Sequence, residues 1–389
     1  KTGLEKAGLE FSTIKPFASP RRLALLISDL AEHTPDKSIE RRGPALQAAF
    51  GEDGCPTQAA LGFARSCGVE VEDLDKLETD KGSWLIYKSQ QQGQATPLLI
   101  PDIVTTSLDT LPIPKRMRWG NLDAQFVRPV HWAVLLFGND IIDTEILSVK
   151  TGRTSYGHRF HHPEPIEIPA PSEYEVLMES EGKVIVDFDR RATTVRAQVE
   201  SKAIELKGQA VIDPALLEEV AAMVEWPVAV AGQFEKRFLT VPQEALISTM
   251  SANQKYFHLV DQHNKLLPYF ITVSNIESRD ETKVQAGNER VIRPRFADAE
   301  FFWNQDRKQR LYSRLKELKT VVFQQKLGTI FDKTQRVAKL AASIATQLNA
   351  DKSLAIRAAE LSKCDLTVSY THLRAHETVR WIAYAVFGL

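Results

Sequence analysis

Cysteine is almost absent from this chain: Cys55, Cys67 and Cys364 are the whole complement in 389 residues, and no two of them form a CxxC pair. That excludes a disulfide framework and a Cys-rich structural zinc site, and the low, odd count points to a reducing compartment, the cytosol by default. Surplus charge is missing too. Lys plus Arg number 49 and Asp plus Glu 50, a formal net charge of −1. No global field therefore draws the molecule onto a polyanion, and a nucleic-acid contact has to be a local patch. No stretch nears the roughly 18 to 20 apolar residues a membrane span needs, and the start lacks the charged, apolar and cleavage regions of a signal peptide, so no membrane association is expected. A Gly-rich phosphate fingerprint, a P-loop and a nucleophile elbow are also lacking, which leaves a doubly wound dinucleotide fold and the common hydrolase sites without support. The chain starts at Lys1 without a Met, inside what reads as the end of a helix, "KTGLEKAGLE". A fragment at its N-terminus is the expectation.

What is present is a globular, 43% apolar chain, enough for the cores of two or three domains. Up to about residue 150 the pattern is mixed. "RRLALLISDL" and "WLIYKSQ" read as strands, "PTQAALGFARSCG" as a short helix that starts at Pro and ends in Gly, and "FVRPVHWAVLLFGN" with "DIIDTEILSV" as a strand pair turning at Gly138-Asn139. "FDRRATTVRAQVESKAIELKG" predicts a helix closed by Gly208, and "VEWPVAVAG", "YFHLV" and "LLPYFITVSN" predict strands, the last two joined by the polar turn "DQHNK". From about residue 287 long helical periodicity takes over. Val337, Leu340, Ala341, Ile344 and Leu348 share one helical face, and Asp332 with Gln335 has the spacing of a capping box. The expected fold class is α+β multidomain, with mixed or antiparallel sheet domains followed by the start of an all-helical domain.

Four groups call for a functional reading. In "IPKRMRWGNLDAQFVRPVHW", residues 113 to 132, Lys115, Arg116, Arg118 and Arg128 surround Trp119 and Trp132. Cations there could pair with phosphates while an aromatic face stacks on a base, and a solvated basic turn beside a buried strand fits the same residues. "GHRFHH" offers three histidines near Arg159, but a zinc site needs three or four ligands with partners elsewhere in the fold, and none has a recognisable spacing. A loop with its histidines and Arg159 facing solvent or RNA is the better reading. "NERVIRPRFADAEFFWNQDRKQR" intersperses both charges and reads as an ion-paired helix face, and Asp298 and Glu300, two apart, would not share a face as an acid-base pair. In "LSKCDL", Cys364 precedes Asp365 where a His-Asp metal phosphohydrolase would have His, and thiolate is a poor ligand for hard cations.

"SPRRLAL", "RRGPALQAAF", "TDKGSWLIY", "LPIPKRMRWG", "FVRPVHW", "GHRF", "LLEEVAAMVEWPVAVAGQFEKRFLTVPQEAL", "NQKYF", "LLPYFITVSNIES", "GNERVIRPRFADAEFFWNQDRK" and "FQQKLGTIFDKTQRVAKLA" resemble, in order and spacing, the β subunit of the bacterial two-subunit glycyl-tRNA synthetase. The resemblance covers about residue 10 to Leu366. It implies an α2β2 cytoplasmic assembly whose α chain makes glycyl-adenylate with ATP and Mg2+, while the β chain binds no cofactor and supplies most of the tRNA recognition. It implies a body region over 1–110, a module over 111–286 similar to the editing module of phenylalanyl-tRNA synthetase β chains, and the start of a degenerate HD-type helical domain over 287–366. Lys115, Arg116, Arg118, Trp119 and Arg128, with His158 and Arg159, become the tRNA-binding candidates, with no catalytic or metal residue. Editing does not follow, since glycine leaves no smaller competitor for a size-based sieve.

Two departures stand out. The family's opening "EIGTEELP"-like strand is absent before Lys1, so an unpaired strand edge is expected in the first domain. After Leu366 the chain reads "TVSYTHLRAHETVRWIAYAVFGL", in which "VSYTHLRAHET" looks like translated adapter sequence, so 367–389 is expected to be a non-native tail. His372 and His376 there receive no function, because Leu373 stands where a zincin helix needs Glu. An RNA- or protein-binding scaffold derived from the same family, or an HD-type phosphohydrolase, are the alternatives.

Overall fold

In a computed structural model the described residues are 1–51, 55–79 and 82–367. The expected tail beyond Thr367, with His372 and His376, lies outside the described residues. The chain divides into two compact units, Lys1–Phe188 and Asp189–Leu389.

In the first unit α1 (Thr2–Ala7) ends at Gly8, whose φ of 77° only glycine adopts cheaply. β1 (Thr13–Ser19) and β2 (Arg22–Ser28) pair antiparallel, and among the described residues no third strand joins them. Side chains alternate across β2. Ala24 and Leu26 pack on a core of Phe17, Ile166, Ile168, Met178 and Val186, while Leu23 and Leu25 stay exposed. β3 (Lys37–Ala45), α2 (Leu46–Ala49), α3 (Gln58–Cys67), β4 (Asp75–Thr79) and β5 (Gly82–Gln91) form a three-stranded antiparallel sheet, order β3-β5-β4, on which Ala49, Ala60 and Ala64 bury Leu74 and Leu85. The predicted helix "PTQAALGFARSCG" is α3, and it closes at Gly68 with φ 73°. α4 (Thr96–Asp109) sets Ile100 against Leu4, Leu9 and Ile142.

Short strands follow: β6 (Met117–Arg118), β7 (Gln125–Phe126), β8 (Ala133–Val134), β9 (Leu136–Phe137), β10 (Asp140–Ile141), β11 (Glu145–Ile146), β12 (Val149–Gly152), β13 (Thr154–Tyr156) and β14 (Pro165–Glu167), before α5 (Tyr174–Ser180). The expected turn at Gly138-Asn139 joins β9 to β10, with Gly138 at φ 57°. The apolar run ahead of it is not one strand. β8 pairs in parallel with β12 instead, and the Thr151 hydroxyl, donating to the Ile142 carbonyl at 2.7 Å and accepting from the Thr144 N–H at 2.9 Å, knits β12 to the chain after β10.

The second unit opens with α6 (Phe188–Glu205), β15 (Gln209–Ala210), α7 (Pro214–Met223) and β16 (Val228–Gln233), then α8 (Gln243–Ser248), a π-helical turn (Thr249–Gln254), β17 (Phe257–Val260), β18 (Leu266–Ser274) and α9 (Glu281–Asp306). The strands form one antiparallel sheet, order β15-β17-β18-β16. Its two faces explain why these strands read as apolar runs. Phe257, Leu259 and Ile271 pack on Val195 and Val199 of α6 and Leu216, Leu217 and Val220 of α7, while Phe270 and Tyr256 pack on Ile292 and Phe296 of α9. Helix α6 ends differently from the expectation. Lys207 takes the left-handed turn at φ 55°, and Gly208 is needed for a close approach, since a Cβ there would lie 2.7 Å from Leu267 Cδ1. Buried Arg191 donates from Nε to the Ala221 carbonyl at 2.8 Å, tying α6 to the last turn of α7. "DQHNK" turns as expected: Asp261 accepts from the N–H groups of His263 and Lys265 at 2.8 and 2.9 Å, which holds its carboxyl below the usual range.

The region expected to be all-helical holds one small ribbon, β19 (Val322–Gln324) with β20 (Gly328–Thr329), ahead of α10 (Ile330–Gln347) and α11 (Lys352–Leu361). β-branched Val321 and Val322 favour extended backbone, and Gly328 at φ 84° lets the chain return. The architecture is thus mixed α and β with small antiparallel sheets. The capping box sits three residues before the expected one. Thr329 Oγ1 accepts from the Asp332 N–H at 3.2 Å, and Asp332 Oδ2 accepts from the Thr329 N–H at 2.8 Å. Replacing Thr329 with alanine is expected to cost about 1 kcal/mol. The bond from the Thr329 N–H first, and then one from the Thr329 hydroxyl to the same carboxylate oxygen at 2.9 Å, lower the Asp332 pKa below its ordinary 3.8. A carboxylate depressed on folding contributes stability above the ordinary value and loses it as pH falls through the folded one. Melts below pH 3.8 should therefore drop less steeply for Asp332→Asn than for the parent, and equal slopes would refute the linkage.

Candidate nucleic-acid interface

In the first unit the end of the first basic segment meets the residue that precedes the second. Trp132, just before β8, and Tyr156, ending β13, meet with ring planes tilted by 57° and centroids 5.3 Å apart. Arg21 and Arg22, beside the turn between β1 and β2, place their guanidinium carbons 5.6 and 5.7 Å from the Trp132 ring, within cation–π range. Neither arginine was a candidate, nor was Tyr156; "SPRRLAL" held the only sequence signal for the pair.

Arg22 is buried, and its Nη2 donates to the carbonyls of Tyr156 at 2.6 Å and Gly157 at 2.8 Å. It fixes the start of the "GHRFHH" loop on β2. Gly157 admits no side chain, because a Cβ would lie 2.7 Å from the His162 carbonyl oxygen and 2.8 Å from that of Gly182. His158 is 1% exposed. Its Nδ1 accepts from the N–H groups of Phe160 and His161, both at 3.3 Å, so it shapes the loop from within. Arg159 and Phe160 are exposed.

The candidates of the first segment fall into two kinds. Arg116 donates to the carbonyls of Leu108 at 3.3 Å and Asp109 at 2.7 Å, closing the C-terminus of α4, where orphan carbonyls and the helix dipole both favour a cation. Arg118 donates to the Leu122 carbonyl at 3.2 Å and pairs with Asp123, so it clasps the loop between β6 and β7. By contrast, Lys115, Arg128 and Arg159 are exposed and, among the described residues, engage no ion pair or hydrogen bond. Trp119 is half-buried and, among the described residues, meets no other ring.

The mixed-charge segment behaves as an ion-paired face. Arg293 meets Glu235 at 2.8 Å and Arg237 meets Glu300 at 2.7 Å. Cys364 is buried with Sγ 3.5 Å from the Glu360 carbonyl, and burial raises its pKa. Among the described residues, no group of three or more His, Cys, Asp or Glu side chains is arranged to hold a metal, and no helix is long and apolar enough to cross a membrane.

Residues 1–371 match the family described as "Glycyl-tRNA synthetase beta subunit", which places the chain among aminoacyl-tRNA synthetase subunits. It is 58% identical over 363 residues to the glycine–tRNA ligase beta subunit of Hahella chejuensis, covering 93% of this chain and 52% of that one. The namesake proteins of Marinobacter nauticus and Chromohalobacter salexigens are 53% and 52% identical, each covering 94% of this chain and 53% of the relative. The chain belongs to the glycyl-tRNA synthetase β-subunit family, and it spans about half the length of the curated relatives it matches.

Proposed function

We propose that this chain is the N-terminal and middle part of a glycine–tRNA ligase β subunit, and that it holds tRNA(Gly) while a separate α chain, using ATP and Mg2+, activates and transfers glycine. The working assembly is an α2β2 heterotetramer in the cytoplasm, and no cofactor is bound by this chain. The observation that supports the RNA contact is the Trp132–Tyr156 pair, which joins segments carrying three uncommitted cations, Lys115, Arg128 and Arg159. Uncommitted cations can neutralise phosphates, and the partly exposed Trp132 and Tyr156 rings offer an aromatic surface for a base. Arg116, Arg118, Trp119 and His158 serve the same contact by shaping the chain that presents it. The segments 1–110, 111–286 and 287–366 are retained as a body region, an editing-type module without an assigned editing role, and the start of a degenerate HD-type domain.

The test is tRNA binding across a salt series. Replacing Lys115, Arg128 and Arg159 together by alanine should weaken binding about tenfold and flatten the log–log salt dependence by about 0.7 to 0.9 per lost phosphate contact. An unchanged slope would remove the patch from the reading. Absence of tRNA affinity at low salt, with the α chain still bound, would favour the scaffold.

A further inference from the structure

Helix α10 has two apolar faces, and among the described residues only one is covered. Ala338, Ala342 and Ala345 are buried, and α11 contributes buried Ala359 to the same layer. The bulkier stripe, on the face the sequence periodicity marked, is open: Val337 is 41%, Leu340 63%, Ile344 52% and Leu348 72% exposed. Spacings of three, four and four residues keep these side chains on one line along the helix. Lys333, one turn before Val337, lies over the Phe323 ring at 4.2 Å, so the ribbon extends the line at its N-terminal end, where Phe323 and Val322 are also exposed.

We infer that this stripe is the seat of an amphipathic helix belonging to the full-length β chain outside the region present here, with acidic side chains facing its Lys333–Arg336 end. A straight line at helical spacing offers ridges and grooves to another helix, whereas a strand or an extended peptide would match it only at isolated points. Contiguous apolar surface of this kind marks an interaction site. At the N-terminal end Lys333 on the line and Arg336 at its margin outnumber Asp332, whose carboxylate interacts with Arg336, so the net charge facing the occupant there is positive. Its source follows from length: nearly half of each curated relative lies outside the matched region. The last described turn, Cys364–Thr367, packs in the same helical group, with buried Cys364 against Leu315, Leu318 and Leu361 of α11. The surface is independent of the RNA-binding reading and stands if that reading fails.

The experiment compares maleimide labelling of Ile344→Cys in this chain and in the full-length β chain, both with Cys55→Ser and Cys67→Ser. Lys339→Cys, on the opposite flank of α10, serves as the control for a folded helix. The expected result is rapid labelling in this chain and at least tenfold slower labelling in the full-length β chain alone, with the Lys339→Cys rate equal in both. Equal Ile344→Cys rates would overturn the inference. So would slowing that needs added α chain, which would make that chain the occupant, or slowing in this chain that grows with its concentration, which would make a second copy the occupant.

Discussion

Replacing Arg314 by alanine is expected to destabilise the helical part of the second unit by about 3–5 kcal/mol, the cost of leaving one member of a buried ion pair alone. Arg314 and Asp306 have side chains only 8% and 11% exposed, with Nη2 to Oδ1 at 2.8 Å. The same guanidinium donates from Nη1 to the Thr367 carbonyl and lies 3.9 Å from Glu317. One side chain therefore holds the end of α9 to the last described turn. Thermal or denaturant melts followed by circular dichroism give the loss directly. The informative companion is Arg314→Ala with Asp306→Asn. If the pair is coupled as the geometry requires, the double variant recovers part of the loss because no full charge remains buried, whereas simple additivity would show that Arg314 acts by packing alone.

The second large effect is expected from Gly157→Ala, about 1–3 kcal/mol of overpacking. The penalty is steric, since all three nearest atoms to the added Cβ belong to backbone: the His162 oxygen, and the oxygen and Cα of Gly182 at 2.8 and 2.9 Å. No rotamer change can relieve it. The chain has to move, and the two bonds that fix it here are the His158 N–H to the Gly182 carbonyl at 2.7 Å and Arg22 to the Gly157 carbonyl. Opening them displaces Arg159, so the variant should also lose tRNA affinity, while a surface change such as Lys150→Arg, at a side chain 79% exposed, should not. A Gly157→Ala protein that melts with the parent and binds tRNA equally would contradict the close crossing.

Much of the local structure was legible in the residues. Gly8, Gly68 and Gly138 occupy the left-handed positions that helix ends and tight hairpins demand, and "DQHNK" turns on the Asp261 carboxylate; each signal lies within a few positions of its effect. The doubly buried strands were legible as apolar runs. What escaped was pairing at long range. Arg22 meets the Tyr156 and Gly157 carbonyls across more than 130 residues, and Trp132 meets Tyr156 although β8 to β12 lie between them in sequence. Nor does a string of basic residues show which are free. Arg116 and Arg118 are engaged by carbonyls and by Asp123, while Lys115 and Arg128 are not, a distinction that arises only when the helix end and the loop exist. The α10 stripe was legible as a single helical face, but its period is the same whichever partner covers it, so its exposure was not legible.

The sheet order β15-β17-β18-β16 also sets a timetable for synthesis. Helices α6 and α7 leave the ribosome before β17 and β18, whose Phe257, Leu259 and Ile271 they need as a floor. From Met223 to Ser274, at roughly 5–20 residues per second, that wait lasts on the order of 3–10 s. During it the nascent chain displays Val195, Val199, Leu216 and Val220 without the β17 and β18 side chains that cover them in the folded unit.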